Sequence, residues 1–155
     1  MKYKLTDETK EFCGRTLHRI VCVTAFANVA AGELGGWIES EKNLDQDGYA
    51  WVCGDAKVCG YAQVCGDAQV YGNAQVCGDA QVCDNADYIA LKNNWSSGRY
   101  FTYTLSNNMW KVGCFFGTGE ELIKKAYEDS ELSGKCYEAS VKYVEELLKI
   151  KREVK

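Results

Sequence analysis

The sequence predicts a mainly β protein built around a parallel β-helix of about three coils, and two observations carry this prediction. Residues 52–87 read VCGDAK VCGYAQ VCGDAQ VYGNAQ VCGDAQ VCDNAD, which is a six-residue unit repeated six times without insertion. Val opens every unit and Ala stands fifth in every unit. A fixed short period of this kind is typical of β-helix repeats.

The repeat unit explains how one side of a coil forms. Successive side chains of a strand point to opposite faces, so the Ala and Val of A-x-V share the inner face. Gly followed by Asp, Asn or Tyr supplies the corner, because Gly adopts positive φ at no steric cost. Three such sides make a coil of eighteen residues. We therefore expect residues eighteen apart to stack, in the pairs Val52–Val70, Val58–Val76 and Val64–Val82.

The same frame extends upstream when residues are counted back in sixes from Val52. The count places Leu34, Ser40 and Gln46 at the Val position, and Ile38, Leu44 and Ala50 at the Ala position. Nine units in frame from Leu34 to Asp87 would make three coils, the first of them degenerate. Degenerate end coils are expected, because the terminal strand edges of a β-helix have to be covered.

The flanking segments complete the predicted organisation. Residues 1–33 form an N-terminal β cover, residues 34–91 form the repeat, with 88–91 as the possible start of a fourth coil, and residues 92–155 form an α+β appendage. In the appendage, residues 99–104 and 109–116 alternate as a β-hairpin. Thr118 and Glu121 have the spacing of a capping box that opens a short helix. A longer amphipathic helix follows from about Ser133 to Arg152.

Several motifs give the chain a family resemblance. The repeat resembles the hexapeptide-repeat family, which winds left-handed, whereas parallel crossovers in general are right-handed. The segments AGELGGWIESEKNL (31–44), GDAQV and GCFFGTGEEL (113–122) are similar to a group of bacteriophage and prophage proteins. The resemblance implies a left-handed β-helix and a phage-type source. The chain departs from the group by having Cys at outward positions and fewer repeats.

The charge and hydropathy exclude several classes of function. The chain has 18 basic and 22 acidic residues, a formal net charge of −4, and this argues against direct binding of nucleic acid. No apolar run approaches the length of a membrane span. The first ten residues lack the apolar region of a secretory signal. We expect a cytoplasmic protein, located in the host cell if a phage encodes it.

Nine cysteines are present, and five of them follow the Val of a repeat unit (Cys53, Cys59, Cys65, Cys77 and Cys83). Parallel neighbours about 4.8 Å apart fit poorly with the Cβ separation of about 3.5–4.5 Å that a disulfide needs. The C-x5-C spacing offers a metal at most two sulfurs on one face. We therefore expect reduced, surface-exposed thiols, and neither a metal nor a cofactor.

One enzymatic interpretation has to be weighed. The hexapeptide-repeat family includes acyltransferases, and the resemblance implies a catalytic His beside a loop extruded from the coil. Here the single histidine, His18, precedes the repeats, and no loop interrupts them. A general base has to reach the acceptor group, so no catalytic residue is predicted, and a degenerate acyltransferase remains the enzymatic alternative.

The aromatic residues indicate a binding surface instead. Outward Trp and Tyr side chains on a rigid face favour a protein interface, although packing under the C-terminal appendage would explain them equally well. The candidate interface residues are Trp51, Tyr71, Tyr49, Tyr61, Trp95, Tyr100, Tyr103 and Trp110. We expect a non-enzymatic protein-binding module whose partner is a host protein. Its phage-type source favours an inhibitor of a bacterial antiviral defence factor, CRISPR systems included, with a structural homo-oligomer as a further alternative.

Overall fold

The computed structural model describes residues 1–154, and this part of the chain is mainly β with two C-terminal helices. The strands form four sheets of five, four, two and two strands. One hydrophobic cluster fills the repeat, and a second lies between the C-terminal sheet and the helices. Neither helix has the length and apolar content that a bilayer crossing requires within residues 1–154.

An N-terminal hairpin opens the fold. Strands β1 (Tyr3–Phe12) and β2 (Arg15–Cys22) are antiparallel, and β2 continues antiparallel onto β3 (Leu34–Ile38). Tyr3 is fully buried, and its hydroxyl donates to the carbonyl of Leu44 at 2.6 Å. Lys2 Nζ donates to the carbonyl of Ala50 at 2.7 Å. The start of the chain is thus bonded to the upstream end of the repeat.

Each repeat unit contributes one two-residue strand. The six strands are β4 (Trp51–Val52), β5 (Lys57–Val58), β6 (Gln63–Val64), β7 (Gln69–Val70), β8 (Gln75–Val76) and β9 (Gln81–Val82). They pair in parallel as β4–β7, β5–β8 and β6–β9, each pair in a different sheet. All six valines are fully buried. The predicted stacking of residues eighteen apart is therefore confirmed for all three valine pairs.

The upstream frame differs from the prediction. Ile38 pairs in parallel with Val58, and Leu44 forms a parallel bridge with Val64, so both partners are twenty residues apart rather than eighteen. Ile38 and Leu44 therefore occupy the Val position, not the Ala position. The backbone N–H of Tyr49 donates to the carbonyl of Gly66, seventeen residues later, which is the donor–acceptor spacing found where residues eighteen apart are paired. Two extra residues lie between Asp45 and Tyr49, so the prediction of an unbroken frame from Leu34 was wrong.

The inserted residues have a structural role. The side chain of Gln46 accepts from the backbone N–H of Lys2 at 2.8 Å and donates to the carbonyl of Tyr3 at 3.0 Å. The side-chain amide of Gln46 therefore makes the hydrogen bonds that a neighbouring strand would otherwise make with the first residues of the chain. Gln46 does not point a polar group into the core, as the six-residue count implied. It attaches the N-terminal strand.

The corners of the repeat depend on glycine. Gly66 has φ +63°, and a Cβ at this position would lie 2.6 Å from the carbonyl oxygen of Cys83 in the next layer. Both the backbone angle and the close approach therefore exclude a side chain here. The last layer ends in a short 3₁₀ helix, Asn85–Asp87, capped by Asp84.

Residues 88–91 do not begin a fourth coil. Strand β10 (Tyr88–Lys92) pairs antiparallel with β11 (Tyr100–Thr104), and β12 (Met109–Val112) and β13 (Phe115–Gly117) complete a four-stranded sheet. The predicted hairpin is present as β11 and β12. Helix α1 (Gly119–Asp129) begins at the predicted Thr118 cap, and α2 (Glu131–Glu153) begins two residues before the predicted start.

Three side chains accept hydrogen bonds from the backbone at the downstream end of the repeat. The last strand on each of the three sides begins with a glutamine: Gln69, Gln75 or Gln81. The backbone N–H of each would donate to a further coil. Asn85 Oδ1 accepts from Gln69 N at 2.7 Å, Thr102 Oγ1 from Gln75 N at 2.8 Å and Ser106 Oγ from Gln81 N at 2.8 Å. Unpaired strand edges promote association with other chains, and these bonds satisfy one edge donor on each side of the repeat within the molecule.

Candidate functional site

Burial removes three predicted interface residues from the surface. Trp51 is 1 % exposed, because Tyr3 and Phe26 pack edge-on against its ring with centroids 6.4 and 5.4 Å away. Tyr103 and Trp110 are buried and pack together with centroids 4.9 Å apart. The interpretation of these three residues as open binding residues was wrong. They belong to the two hydrophobic cores.

Trp95 also has a packing role. Its ring is half-buried and lies edge-on to Tyr137 at 4.9 Å and to Phe101 at 6.1 Å. These contacts join the β10–β11 loop to helix α2. Trp95 is therefore part of the C-terminal core and lies away from the repeat surface.

Three predicted tyrosines are exposed on the repeat. Tyr49, Tyr61 and Tyr71 have 56 %, 86 % and 60 % of their surface open to solvent. Tyr61 lies at the corner after β5, whereas Tyr71 directly follows β7, which is on a different side of the repeat. The exposed tyrosines therefore do not form a single cluster.

Tyr71 and the half-buried Tyr100 line one groove where the repeat meets the C-terminal sheet. The tyrosine groove is lined by Tyr71, Gly72, Asn73, Asn85, Tyr88, Ala90 and Tyr100 and has a volume of about 320 Å³. It contains three phenol rings, two amides and no charged side chain. Tyrosines bring large apolar area together with a hydrogen-bonding tip, a combination enriched at protein interfaces.

The groove is held in place by hydrogen bonds to the repeat backbone. The Tyr88 hydroxyl donates to the carbonyl of Gln69 at 2.9 Å, and Gln69 Nε2 donates to the carbonyl of Tyr49 at 3.0 Å. Burial raises the pKa of Tyr88 above its ordinary value. Its ring is therefore a fixed wall of the groove, whereas Tyr71 is free to contact a partner.

Tyr88 was missing from the predicted interface. It lies eighteen residues after Val70, so the hexapeptide frame puts it at the Val position of a next layer. A phenol is too large for that interior, and this mismatch was the available signal. The structure turns the residue half outward and packs it against the end of the repeat core.

The cysteines are arranged differently from the prediction. Cys65 and Cys83 form a disulfide between neighbouring layers, with Cα atoms 4.5 Å apart, and Cys13 and Cys114 form a second with Cα atoms 5.3 Å apart. The argument from ladder spacing was therefore wrong for Cys65 and Cys83, because their Cα separation lies at the short end of the range that a disulfide spans.

Cys59 and Cys77 are not surface thiols either. They are 3 % and 5 % exposed, and their Sγ atoms lie 2.7 Å apart. Leu17, Trp37 and Phe12 pack around them.

The remaining candidates for chemistry are not assembled into a site. His18 lies within β2, half-buried, at the register position opposite Ile38. The strands β4–β9 follow one another at a constant six-residue interval, so no loop extends from the repeat beside it. In the described residues, 1–154, no three His, Cys, Asp or Glu side chains are grouped so that they could hold a metal ion.

Comparison with known proteins gives a weak similarity. No family model matches the chain. Over 59 residues the chain is 34 % identical to an uncharacterized acetyltransferase, YdcK, of Escherichia coli (strain K12), and the match covers 33 % of this chain. The chain spans 18 % of the length of that curated relative. The similarity fits loosely with a hexapeptide-repeat family.

Proposed function

We propose that this chain is a non-enzymatic protein-binding module and that the tyrosine groove is its contact surface. The observation that carries the proposal is the convergence of Tyr71, from the segment after β7, with Tyr88 and Tyr100, from the C-terminal sheet, on one uncharged groove. Rigid tyrosines lose little side-chain entropy on binding, because only two torsions are fixed. The proposal takes the partner to be a host protein.

The architecture behind this surface is proposed to be a left-handed parallel β-helix. Parallel pairing at eighteen residues on three separate sheets supports the winding. Left-handedness follows from the resemblance to hexapeptide repeats. The domain division into an N-terminal cover (1–33), the repeat (34–91) and an α+β appendage (92–155) remains a proposal, with β10 belonging to the C-terminal sheet.

The proposed partner class is a component of a bacterial antiviral defence system, such as a CRISPR effector. This part of the proposal rests on the resemblance of AGELGGWIESEKNL and GCFFGTGEEL to phage and prophage proteins. An acidic inhibitor with net charge −4 would complement the basic surfaces with which such effectors hold nucleic acid. The module would act in the cytoplasm of the host.

A pull-down from the lysate of a bacterial host tests the proposal. Tagged wild-type protein is expected to recover a defence component, identified by mass spectrometry. The double variant Tyr71→Ala/Tyr100→Ala is expected to lose it. Tyr143→Ala is the matched control, because Tyr143 is an exposed tyrosine on α2. Recovery of the same proteins by the wild type and the groove variant would refute the groove as the contact surface.

A degenerate acyltransferase is the second candidate, favoured by the similarity to YdcK. Its expected property is binding of acetyl-CoA, with His18 as the sole imidazole. Calorimetric titration with acetyl-CoA distinguishes the candidates. Heat that saturates at one site per chain, and that His18→Ala abolishes, would favour the enzyme over the binding module.

A further inference from the structure

A buried pair of thiols lies outside the proposed binding surface. Cys59 and Cys77 occupy equivalent positions in neighbouring layers, and their Sγ atoms are 2.7 Å apart. The hydrogen bond with Cys77 lowers the pKa of Cys59, and the charges of Lys111 and Arg15 act in the same direction. The same contact, together with burial, raises the pKa of Cys77.

The tip of the N-terminal hairpin covers this pair. Phe12, in the tip, packs against the cluster that contains both sulfurs. Arg15 forms a salt bridge with Glu39 at 2.9 Å, and Glu39 also accepts from the backbone N–H of Gly60 at 2.8 Å. The tip is therefore attached directly beside Cys59.

The disulfide between Cys13 and Cys114 fastens the same tip. It joins the β1–β2 turn to the turn between β12 and β13, across 101 residues of sequence. Lys111 Nζ lies 5.2 Å from the centre of the Phe12 ring and 3.8 Å from Cys13 Sγ. Both cysteines of this bond are exposed, whereas Cys59 and Cys77 are buried. A reductant therefore reaches the exposed Cys13–Cys114 bond before it reaches the buried pair Cys59 and Cys77.

We propose that Cys59 and Cys77 are a reversible dithiol–disulfide site, oxidised by low-molecular-weight disulfides, and that the Cys13–Cys114 bond controls access to it. The Cys59 thiolate attacks one sulfur of the small disulfide and releases one thiolate. Cys77 loses its proton and attacks Cys59 Sγ of the mixed disulfide, which releases the second thiolate. Two protein thiols are oxidised and one small disulfide is reduced to two thiols. The inference does not depend on the proposed binding function.

The test incubates the full chain with glutathione disulfide, followed by unfolding, alkylation with N-ethylmaleimide and digestion with endoproteinase Asp-N. Cleavage before Asp55, Asp67, Asp79 and Asp84 places Cys59 together with Cys65 in peptide 55–66, Cys77 in peptide 67–78 and Cys83 in peptide 79–83. The Cys65–Cys83 bond already joins peptides 55–66 and 79–83, so the new bond is reported by a species of all three linked peptides, and an alkylated peptide 67–78 reports the free thiol of Cys77. Cys136→Ser is the control, because Cys136 is a half-buried free thiol on α2.

The expected result is that the linked peptides form at least tenfold faster in Cys13→Ser than in the wild type or in Cys136→Ser. Wild-type protein in which brief phosphine treatment has opened Cys13–Cys114 and left Cys65–Cys83 intact, both checked by alkylation, is expected to match Cys13→Ser. The phosphine-treated protein replaces the variant in this comparison if Cys13→Ser does not fold. Full alkylation of Cys77 at every glutathione ratio, or equal rates in wild type and opened protein, would overturn the proposal.

Discussion

Single side chains hold the repeat together by complete burial. Val64 has no exposed surface and stacks on Val82 in the next layer. The neighbouring Gln63 is exposed on the same strand. Adjacent residues of one strand therefore differ completely in burial, and only one of the two side chains enters the interior of the repeat.

Val64→Asp is expected to abolish the folded protein. A carboxylate in the repeat interior would have no partner, and the cost of a buried unpaired charge exceeds about 4 kcal/mol. Circular dichroism and urea unfolding of the soluble fraction measure the effect. Gln63→Asp places the same charge outside and is expected to change stability by less than about 0.5 kcal/mol. A well-folded Val64→Asp protein would disprove the inward assignment.

Tyr3 links stability to alkaline pH. Burial raises the pKa of its phenol, with smaller contributions from Glu41 and Asp45. In the unfolded chain the phenol ionises near its ordinary pKa of about 10, whereas in the folded protein it keeps its proton. The stabilisation is therefore fully present below about pH 10 and is lost as pH rises further.

Tyr3→Phe is accordingly expected to weaken the pH dependence. Its free energy of unfolding should be lower than that of the wild type at pH 7, because the bond to Leu44 is lost. The difference should narrow between about pH 10 and pH 11, since phenylalanine does not ionise. Urea unfolding at a series of pH values measures both. A constant difference across the series would contradict the account.

Among the larger elements, the capping of the repeat's last layer by the C-terminal sheet is open to a direct test. Thr102 is 1 % exposed and accepts from the backbone N–H of Gln75. Thr102→Val keeps the shape and removes the acceptor, so the buried N–H loses its bond. We expect a loss of about 1–3 kcal/mol in urea unfolding. Thr9→Val, at an exposed site in β1, is the control and should leave stability nearly unchanged.

The sequence predicted those elements whose cause is local and missed those whose cause is distant. The pairing of Val52 with Val70 followed from the period alone. The two-residue insertion around Gln46 has no periodic marker, and its reason is a bond to Tyr3, more than forty residues away. Trp51 alternates outward as predicted, yet Phe26 covers it. Of the proposed groove, Tyr71 and Tyr100 were predicted, but their proximity depends on how two sheets meet.

At the scale of the whole molecule, the Cys13–Cys114 disulfide links the N-terminal hairpin to the C-terminal sheet. A disulfide that closes a loop of about 100 residues stabilises a protein by about 2–5 kcal/mol, chiefly by constraining the unfolded chain. Cys13→Ser is expected to lose stability in this range by urea unfolding under non-reducing conditions. Under reducing conditions its deficit should disappear. A deficit that persists after reduction would indicate that the serine disturbs the fold itself.

The central claim, that the tyrosine groove binds a protein partner, is tested most directly by the affinity for that partner once it is purified. Calorimetric titration should show a dissociation constant at least tenfold weaker for Tyr71→Ala/Tyr100→Ala, a loss of about 1.4 kcal/mol or more. Tyr143→Ala should bind as the wild type does. Equal affinity of the groove variant and the wild type, with both proteins folded, would contradict the account.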